Sequence, residues 1–227
     1  HEVHALDAAS GKPVWSFTAG ARVDSPPAVW KGRALFGSAD GHVYCLRADD
    51  GRMMWRYRAA PADLRMGSFE QIESVWPVHG SVLIRQGERG RAELWCVAGR
   101  SMFVDGGLRL IRLNPATGEK IGERTLDDRM PDGEDNLQAA ISGLNMPVAL
   151  SDVLVDDGKS VYMKSQQFDT EGNRIDIDMP NRNEREQRGE KAHPAGNSVS
   201  RGIVPGIWFN RRCPLAASGV EPINPAV

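Results

Sequence analysis

The sequence has no long apolar run and no excess of positive charge. No uninterrupted apolar stretch among its 227 residues approaches the ~18 residues that a membrane-spanning helix requires. Lysine and arginine number 28 against 30 aspartate and glutamate, which gives a net charge of −2. This balance excludes the basic surface with which proteins bind nucleic acid or anionic membranes. We therefore expect no nucleic-acid partner and no transmembrane segment.

Cysteine is also scarce. The three cysteines, Cys45, Cys96 and Cys213, are an odd number and form no C-x-x-C motif, which argues against a disulfide framework and a cysteine zinc site. The G-x-S-x-G motif of serine hydrolases is absent as well. We expect Cys45 and Cys96 to be small apolar residues within strands. The sequence predicts neither a metal site nor a catalytic residue.

The sequence does contain an internal repeat. "ALDAASGKPVW" ends at Trp15 and "CLRADDGRMMW" ends at Trp55, so the two tryptophans are 55 − 15 = 40 positions apart. A third unit, "RLNPATGEKIG", has Gly122 where the first two have tryptophan. A period near 40 is typical of propeller blades with four strands each.

The residues between the repeats support this interpretation. "SPPAVWKG", "RALFGSADG", "HVYCLR" and "RMMWRYR" each read as a short strand ending at a turn, and none has helical periodicity. The predicted fold is all-β, a β-propeller with about three to four blades of four antiparallel strands over residues 1–174. Propellers have 4–8 blades, so we expect an incomplete ring and a piece of a longer protein.

Two segments depart from the blade pattern. Residues 126–136 are acidic but lack the spacing of a calcium-binding loop, and we interpret them as a linker between blades. Residues 175–227 are polar and then proline-rich, with no period of 2 or 3.6, and we predict an irregular or disordered tail.

The tryptophan in each repeat lies four residues after a glycine. A large flat ring can pack across a glycine of the neighbouring blade, because glycine leaves that surface open. We predict that Trp15 packs against Gly51 and that Trp55 packs against Gly118. These contacts would join one blade to the next.

The pattern A-x-D-x-x-[ST]-G-x-x-x-W resembles the tryptophan-docking motif of the pyrroloquinoline-quinone (PQQ)-like β-propeller repeat family. "ALDAASGKPVW" matches every fixed position, whereas "CLRADDGRMMW" keeps only Gly51 and Trp55. The resemblance implies a propeller fold and a bacterial periplasmic or extracytoplasmic location. It implies no single activity, since some members are quinoprotein dehydrogenases and others are scaffolds that bind no cofactor.

Two short stretches supply candidate residues for binding a ligand or partner. "WPVHGS" contains His79 and Ser81. We place His79 at the start of a strand near the propeller axis, where it either hydrogen-bonds to the backbone or contacts a ligand. "AGRSMFVDGG" contains Arg100 and Asp105 in an insertion between strands, where loops of a rigid scaffold often carry recognition. Arg100 and Asp105 either contact a ligand or brace the loop by pairing with each other.

The sequence favours a non-catalytic scaffold that binds a protein partner or a small ligand on a propeller face, with no cofactor. The alternative is a piece of a PQQ-dependent quinoprotein alcohol or sugar dehydrogenase, which would use PQQ and calcium. A weaker alternative is carbohydrate binding through Trp30, Trp76 and Trp95. Unpaired blades at the two ends of a partial ring would also favour self-association.

Overall fold

The computed structural model describes residues 1–68, 70–87, 90–129, 151–164 and 166–175. These residues form sixteen β-strands and no helix, so the all-β prediction is confirmed. Most of the linker predicted over 126–136, from residue 130 onward, lies outside the described residues, as does the tail from residue 176.

The first full blade is a four-stranded antiparallel sheet in which each strand pairs with the next one in sequence. Gly51 closes its last turn at a φ of +72°, a left-handed conformation that glycine adopts without strain. The four strands are β3 (Ala28–Trp30), β4 (Arg33–Gly37), β5 (His42–Arg47) and β6 (Met53–Arg58).

A half-blade precedes it. Strands β1 (Glu2–Leu6) and β2 (Pro13–Thr18) form a hairpin with the same turn that joins β5 to β6. In this turn the amide of Gly11 donates to the carbonyl of Asp7, as that of Gly51 donates to Arg47. The hairpin is therefore equivalent to the two outer strands of a blade.

Two more full blades follow with the same strand order. Strands of the second full blade are β9 (Leu83–Gln86), β10 (Ala92–Ala98), β11 (Leu108–Leu113) and β12 (Lys120–Leu126). Those of the third are β13 (Leu154–Asp156), β14 (Val161–Met163), β15 (Gln166–Phe168) and β16 (Arg174–Ile175).

A separate hairpin is inserted between the first and second full blades. Strands β7 (Arg65–Ser68) and β8 (Gln71–Ser74) pair only with each other among the described residues. The sequence did not predict this hairpin, although the long second repeat interval required an insertion.

The apolar core lies between the blades. In β10, Leu94 and Cys96 point into the core shared with the first full blade, whereas Trp95 and Val97 point into the core shared with the third. This follows from the two-residue period of a strand, which sends successive side chains to opposite faces. The inner strands β3, β9 and β13 also lie next to one another in turn. Stacked sheets of this kind are the blades of a propeller, so the fold prediction is confirmed.

Candidate functional site

The connections between strands gather at two opposite ends of the sheets. We call one end the front face; it comprises residues 19–27, 38–41, 73–82 and 99–107. The opposite end is the back face, formed by the turns at residues 7–12, 48–52 and 114–119. The front face is held together by backbone hydrogen bonds, such as Val78 N to Ser38 O at 3.1 Å and Gly99 N to Pro77 O at 2.9 Å.

Tryptophans near the back face join the blades. A Cβ built on Gly51 would lie 2.7 Å from Cδ2 of Trp15, so the indole lies directly on the glycine. The Trp15 indole N–H also donates to the carbonyl of Ala48 at 2.8 Å. We call this contact, between the half-blade and the first full blade, the first interface.

The second interface, between the first and second full blades, repeats this arrangement. A Cβ on Gly118 would lie 2.8 Å from Cδ2 of Trp55, and the Trp55 indole N–H donates to the carbonyl of Pro115 at 3.3 Å. The structure thus brings together the four residues Trp15, Gly51, Trp55 and Gly118 in two equivalent contacts.

A charged cluster lies on the front face around His79. Nδ1 of His79 lies 2.5 Å from Oδ2 of Asp24, and its Nε2 lies 3.8 Å from Oε2 of Glu73. Arg22 contacts both acids, at 2.5 Å from Asp24 and 2.7 Å from Glu73. Two segments distant in sequence therefore converge: the β2–β3 connection on one side, and strand β8 with the β8–β9 connection that follows it on the other.

The cluster combines a buried acid with a partly exposed base. The Glu73 side chain is 2% exposed, whereas that of His79 is 26% exposed and reaches solvent. Burial works to raise the pKa of Asp24, but hydrogen bonds from Arg22 and His79 outweigh it, and the net pKa is lowered. Asp24 is thus held as a carboxylate beside Nδ1 of the His79 imidazole.

Ser81 belongs to a contact between blades. Its Oγ accepts a hydrogen bond from the amide of Leu154 in β13 at 3.3 Å. The neighbouring Gly80 is covered by the backbone of Asp152. A Cβ built on Gly80 would lie 3.2 Å from the amide nitrogen of Asp152 and closer still to its carbonyl oxygen. Ser81 and His79 therefore have different contacts, although they are two positions apart.

Arg100 and Asp105 pair with each other in the inserted loop. Nη2 of Arg100 lies 2.5 Å from Oδ2 of Asp105, and both side chains are partly exposed, at 35% and 27%. The loop is fixed to the β8–β9 connection, because the Trp76 indole N–H donates to the carbonyl of Asp105 at 2.8 Å. Exposed Phe103 and Val104 lie at the tip of this loop.

The tryptophans considered for carbohydrate binding have different surroundings. Trp95 is completely buried, so it offers no surface to a sugar. Trp30 is covered by Lys31, whose Nζ lies 5.0 Å from the ring centroid. Trp76 is partly buried on the front face.

Three charged residues of the front-face cluster were not recognised in the sequence: Arg22, Asp24 and Glu73. Each is a charged residue of a kind common on protein surfaces. Arg22 and Asp24 lie about 50 positions before Glu73 and His79, with which they pair. A single sequence carries no signal for that convergence. The one indication of this cluster in the sequence was His79, which comes shortly before a strand.

The described residues do not form a calcium site. No group of three or more histidine, cysteine, aspartate or glutamate side chains in the described ranges has an arrangement that fits a metal ion. The two carboxylates of the front-face cluster are already paired with Arg22 and His79.

Comparison with known proteins agrees with the blade architecture. A family model described as outer membrane protein assembly factor BamB, of the PQQ-like repeat type, matches residues 1–204. The chain belongs to the PQQ-like repeat family. The tryptophan-docking contacts of the first and second interfaces are thus features of a PQQ-like propeller.

Enzymes of this family are among the similar proteins. The dehydrogenase subunit of the quinone alcohol dehydrogenase of Gluconobacter oxydans (strain 621H) is 28% identical over 98 residues, which are 38% of this chain and 12% of that protein. The crystal structure of quinohemoprotein alcohol dehydrogenase from Comamonas testosteroni has a TM-score of 0.52 at 15% identity, covering 77% of this chain and 31% of that one. The chain therefore spans a minor part of each relative, and the structural likeness shows the fold alone. The part of the chain that the structure describes contains no helix able to cross a membrane.

Proposed function

We propose that this PQQ-like propeller is a non-catalytic binding module whose front face contacts a protein partner or a small ligand. The observation that carries the proposal is the convergence of a partly exposed His79 with two carboxylates and an arginine from separate segments. The adjacent loop presents the Arg100–Asp105 pair and exposed Phe103 and Val104. Polar groups held rigidly beside apolar side chains are typical of recognition sites.

The front face is also the more elaborate end of the sheets. The inserted hairpin β7–β8 and the loop at 99–107 both extend this end, whereas the three back-face turns at 7–12, 48–52 and 114–119 are short and alike. Insertions into otherwise regular loops of a rigid scaffold often carry function.

The test is affinity enrichment from an extract of the source cells, read by quantitative mass spectrometry with the wild-type chain as bait. A double variant, Arg100→Ala/Asp105→Ala, removes the exposed pair of the front face. We expect it to lose more than about 90% of the specifically retained partner, because interface energy is concentrated in few residues.

A matched control is available on the back face. Arg47 and Asp50 form an equivalent exposed ion pair in the β5–β6 turn. The Arg47→Ala/Asp50→Ala variant should retain the partner like the wild type. Equal loss in both variants, or no loss in either, would contradict a front-face site.

A second candidate function is favoured by the identity to the quinone alcohol dehydrogenase subunit. In that case this chain contributes blades to a PQQ- and calcium-dependent oxidoreductase whose catalytic residues lie in other blades. Native mass spectrometry of the protein purified from its source distinguishes the two. A much heavier chain with a quinone-sized adduct and dye-linked alcohol oxidation would establish the enzyme and overturn the binding module.

We also propose an extracytoplasmic location, supported by a family model named for outer membrane assembly. We propose self-association as a further property. Among the described residues nothing lies within 4 Å of a Cβ built on Gly11, whereas Trp15 covers the equivalent Gly51. The domain division at residues 174 and 175 remains a proposal, and limited proteolysis would test it.

A further inference from the structure

The third interface, between the second and third full blades, lacks a docking tryptophan. Gly122 in β12 pairs across strands with Arg112 in β11. The equivalent pairs in the earlier blades are Ala5 with Trp15 and Cys45 with Trp55. In the second full blade the large residue, Arg112, therefore lies on β11, and the small residue, Gly122, lies on the outer strand β12. In the two earlier units the large residue is on the outer strand.

Arg112 fills the space that the absent tryptophan leaves. A Cβ on Gly122 would lie 2.9 Å from Nη2 of Arg112, so the guanidinium passes directly over the glycine. Nη1 of Arg112 donates to the carbonyl of Thr170 in the next blade at 2.8 Å. Thr170 comes directly after Asp169, and the carbonyl of Asp169 accepts a hydrogen bond from the amide of Gly172.

The acceptor has a corresponding place in the turn at all three interfaces, although the third turn is one residue shorter: the Gly172 amide donates to the carbonyl three positions back, whereas those of Gly51 and Gly118 donate four positions back. Ala48 and Pro115, which accept from the tryptophans, also come directly after the residue whose carbonyl accepts from the turn glycine. Arg112 thus makes the hydrogen bond that the indole N–H makes elsewhere. The turn glycine itself is less tightly covered, since a Cβ on Gly172 would lie 3.3 Å from Leu110.

Further arginines cross the third interface. Nε of Arg85 contacts Oδ2 of Asp156 at 3.2 Å, and Nε of Arg124 donates to Oδ1 of Asn173 at 2.7 Å. The guanidinium carbons of Arg85 and Arg112 lie 5.5 Å and 5.6 Å from the ring centroid of the buried Trp95.

A buried acid completes the arrangement. Glu93 accepts from the Trp95 indole N–H at 3.1 Å and lies 3.6 Å from Arg112. Nη1 of Arg85 and Nε of Arg112 are buried, and neither has a hydrogen-bond partner among the described residues. Charged groups with incomplete hydrogen bonding are costly to bury, so the docking contact of Arg112 gains less from closure than an indole on glycine does. The apolar core around Trp95 and Phe168 is what holds this interface closed beside it.

We propose that Arg112 is the docking residue of the third interface, and that this interface, whose docking contact is polar, opens before the two tryptophan interfaces. The inference concerns the dynamics of the ring and does not depend on what the front face binds. It predicts that the third full blade separates locally while the first and second full blades stay packed.

Hydrogen exchange read by mass spectrometry on the whole chain tests the proposal. Backbone amides of β14 and β15 should exchange faster than those of the central strands β4 and β5. Arg112→Ala should accelerate β14 and β15 by roughly tenfold or more, because it removes a hydrogen bond from a charged donor and leaves Glu93 less well paired. Exchange in β4 and β5 should not change.

The pair exchange Arg112→Ala/Gly122→Trp recreates the Ala5–Trp15 pair at the third interface. It should return β14 and β15 to wild-type exchange rates or slower, whereas Gly122→Trp alone should accelerate them because the indole meets Arg112. Arg112→Lys, which keeps the charge but not the forked donor, should give an intermediate rate and serves if the alanine variant does not fold.

Arg109→Ala is the matched control, since Arg109 lies in the same strand and pairs with Glu123 inside its own blade. Its β14 and β15 amides should exchange as in the wild type. The proposal is overturned if Arg109→Ala has the effect of Arg112→Ala, if the pair exchange restores nothing, or if β4 and β5 exchange as fast as β14 and β15.

Discussion

At the scale of single residues, two glycines with the same backbone conformation have different surroundings. Gly11 and Gly51 have φ angles of +68° and +72°, and both close the same kind of turn. Trp15 covers Gly51, whereas the space around Gly11 is open. Backbone strain and interblade packing can therefore be separated by comparing the two positions.

We predict that Gly51→Ala destabilises the chain more than Gly11→Ala. Both substitutions place a Cβ on a left-handed residue, at a cost of roughly 1–2 kcal/mol. Gly51→Ala also forces the new methyl group against the Trp15 ring, which adds about 1–3 kcal/mol of overpacking. Urea unfolding of the two variants measures the difference. Equal free energies of unfolding would mean that the ring moves aside without cost.

The residue scale also shows where a single sequence is informative. Trp15 and Trp55 stand out because their motif repeats, and a repeat can be seen without knowing any structure. Asp24 and Glu73 have no repeated neighbourhood, and their roles depend on which segments the fold brings together. Arg112 was missed for a related reason: the sequence showed that Gly122 lacks a tryptophan, but not that the residue opposite takes its place.

At the scale of elements, alternate residues of a central strand fill two different interfaces. Cys45 in β5 and Cys96 in β10 both lie in the core of the second interface, with Trp55 packed against it. Burial raises the pKa of the Cys45 thiol to about 11 and that of Cys96 to about 12. These thiols therefore stay protonated and unreactive while the second interface is closed.

We predict that Trp55→Ala costs about 3–5 kcal/mol in the free energy of unfolding, as expected for loss of a large docked ring. The same variant should label faster with a maleimide at Cys45 and Cys96, because the second interface opens more often. Trp55→Phe is the matched control: it keeps an aromatic ring but loses the indole hydrogen bond to Pro115. A loss below about 1 kcal/mol for the alanine variant would be incompatible with a docking role.

The strand boundaries could be predicted from the sequence wherever the repeat recurs. The strands of the first full blade end at turns that glycine marks, and the motif spacing placed the hairpins. The hairpin β7–β8 was not predicted, because it occurs once and its short strands consist mostly of polar residues, with no apolar alternation. Without a repeated copy, such a segment is hard to distinguish from a loop.

At the scale of the whole molecule, partly buried carboxylates tie the front face to the blades. Asp40 lies in the β4–β5 turn, where it accepts from the Tyr44 hydroxyl at 2.5 Å and from the His42 amide at 3.0 Å. Burial works to raise the pKa of Asp40, but the hydrogen bonds from His42 and Tyr44 outweigh it and lower the pKa below the ordinary 3.8. The pKa of Asp24, in the neighbouring connection, is lowered in the same way.

Lowered pKa values make the folded chain sensitive to acid. An aspartate that ionises more readily when folded contributes its stabilisation fully above the unfolded pKa and loses it as the pH falls through that value toward the folded pKa. We therefore predict a free energy of unfolding that declines from about pH 5 downward, measured by urea unfolding at a series of pH values. Asp40→Asn cannot ionise, so it should be less stable than the wild type near pH 7 and should show a shallower decline below about pH 4. A variant that loses stability with acid as steeply as the wild type would show that Asp40 does not contribute to the acid response.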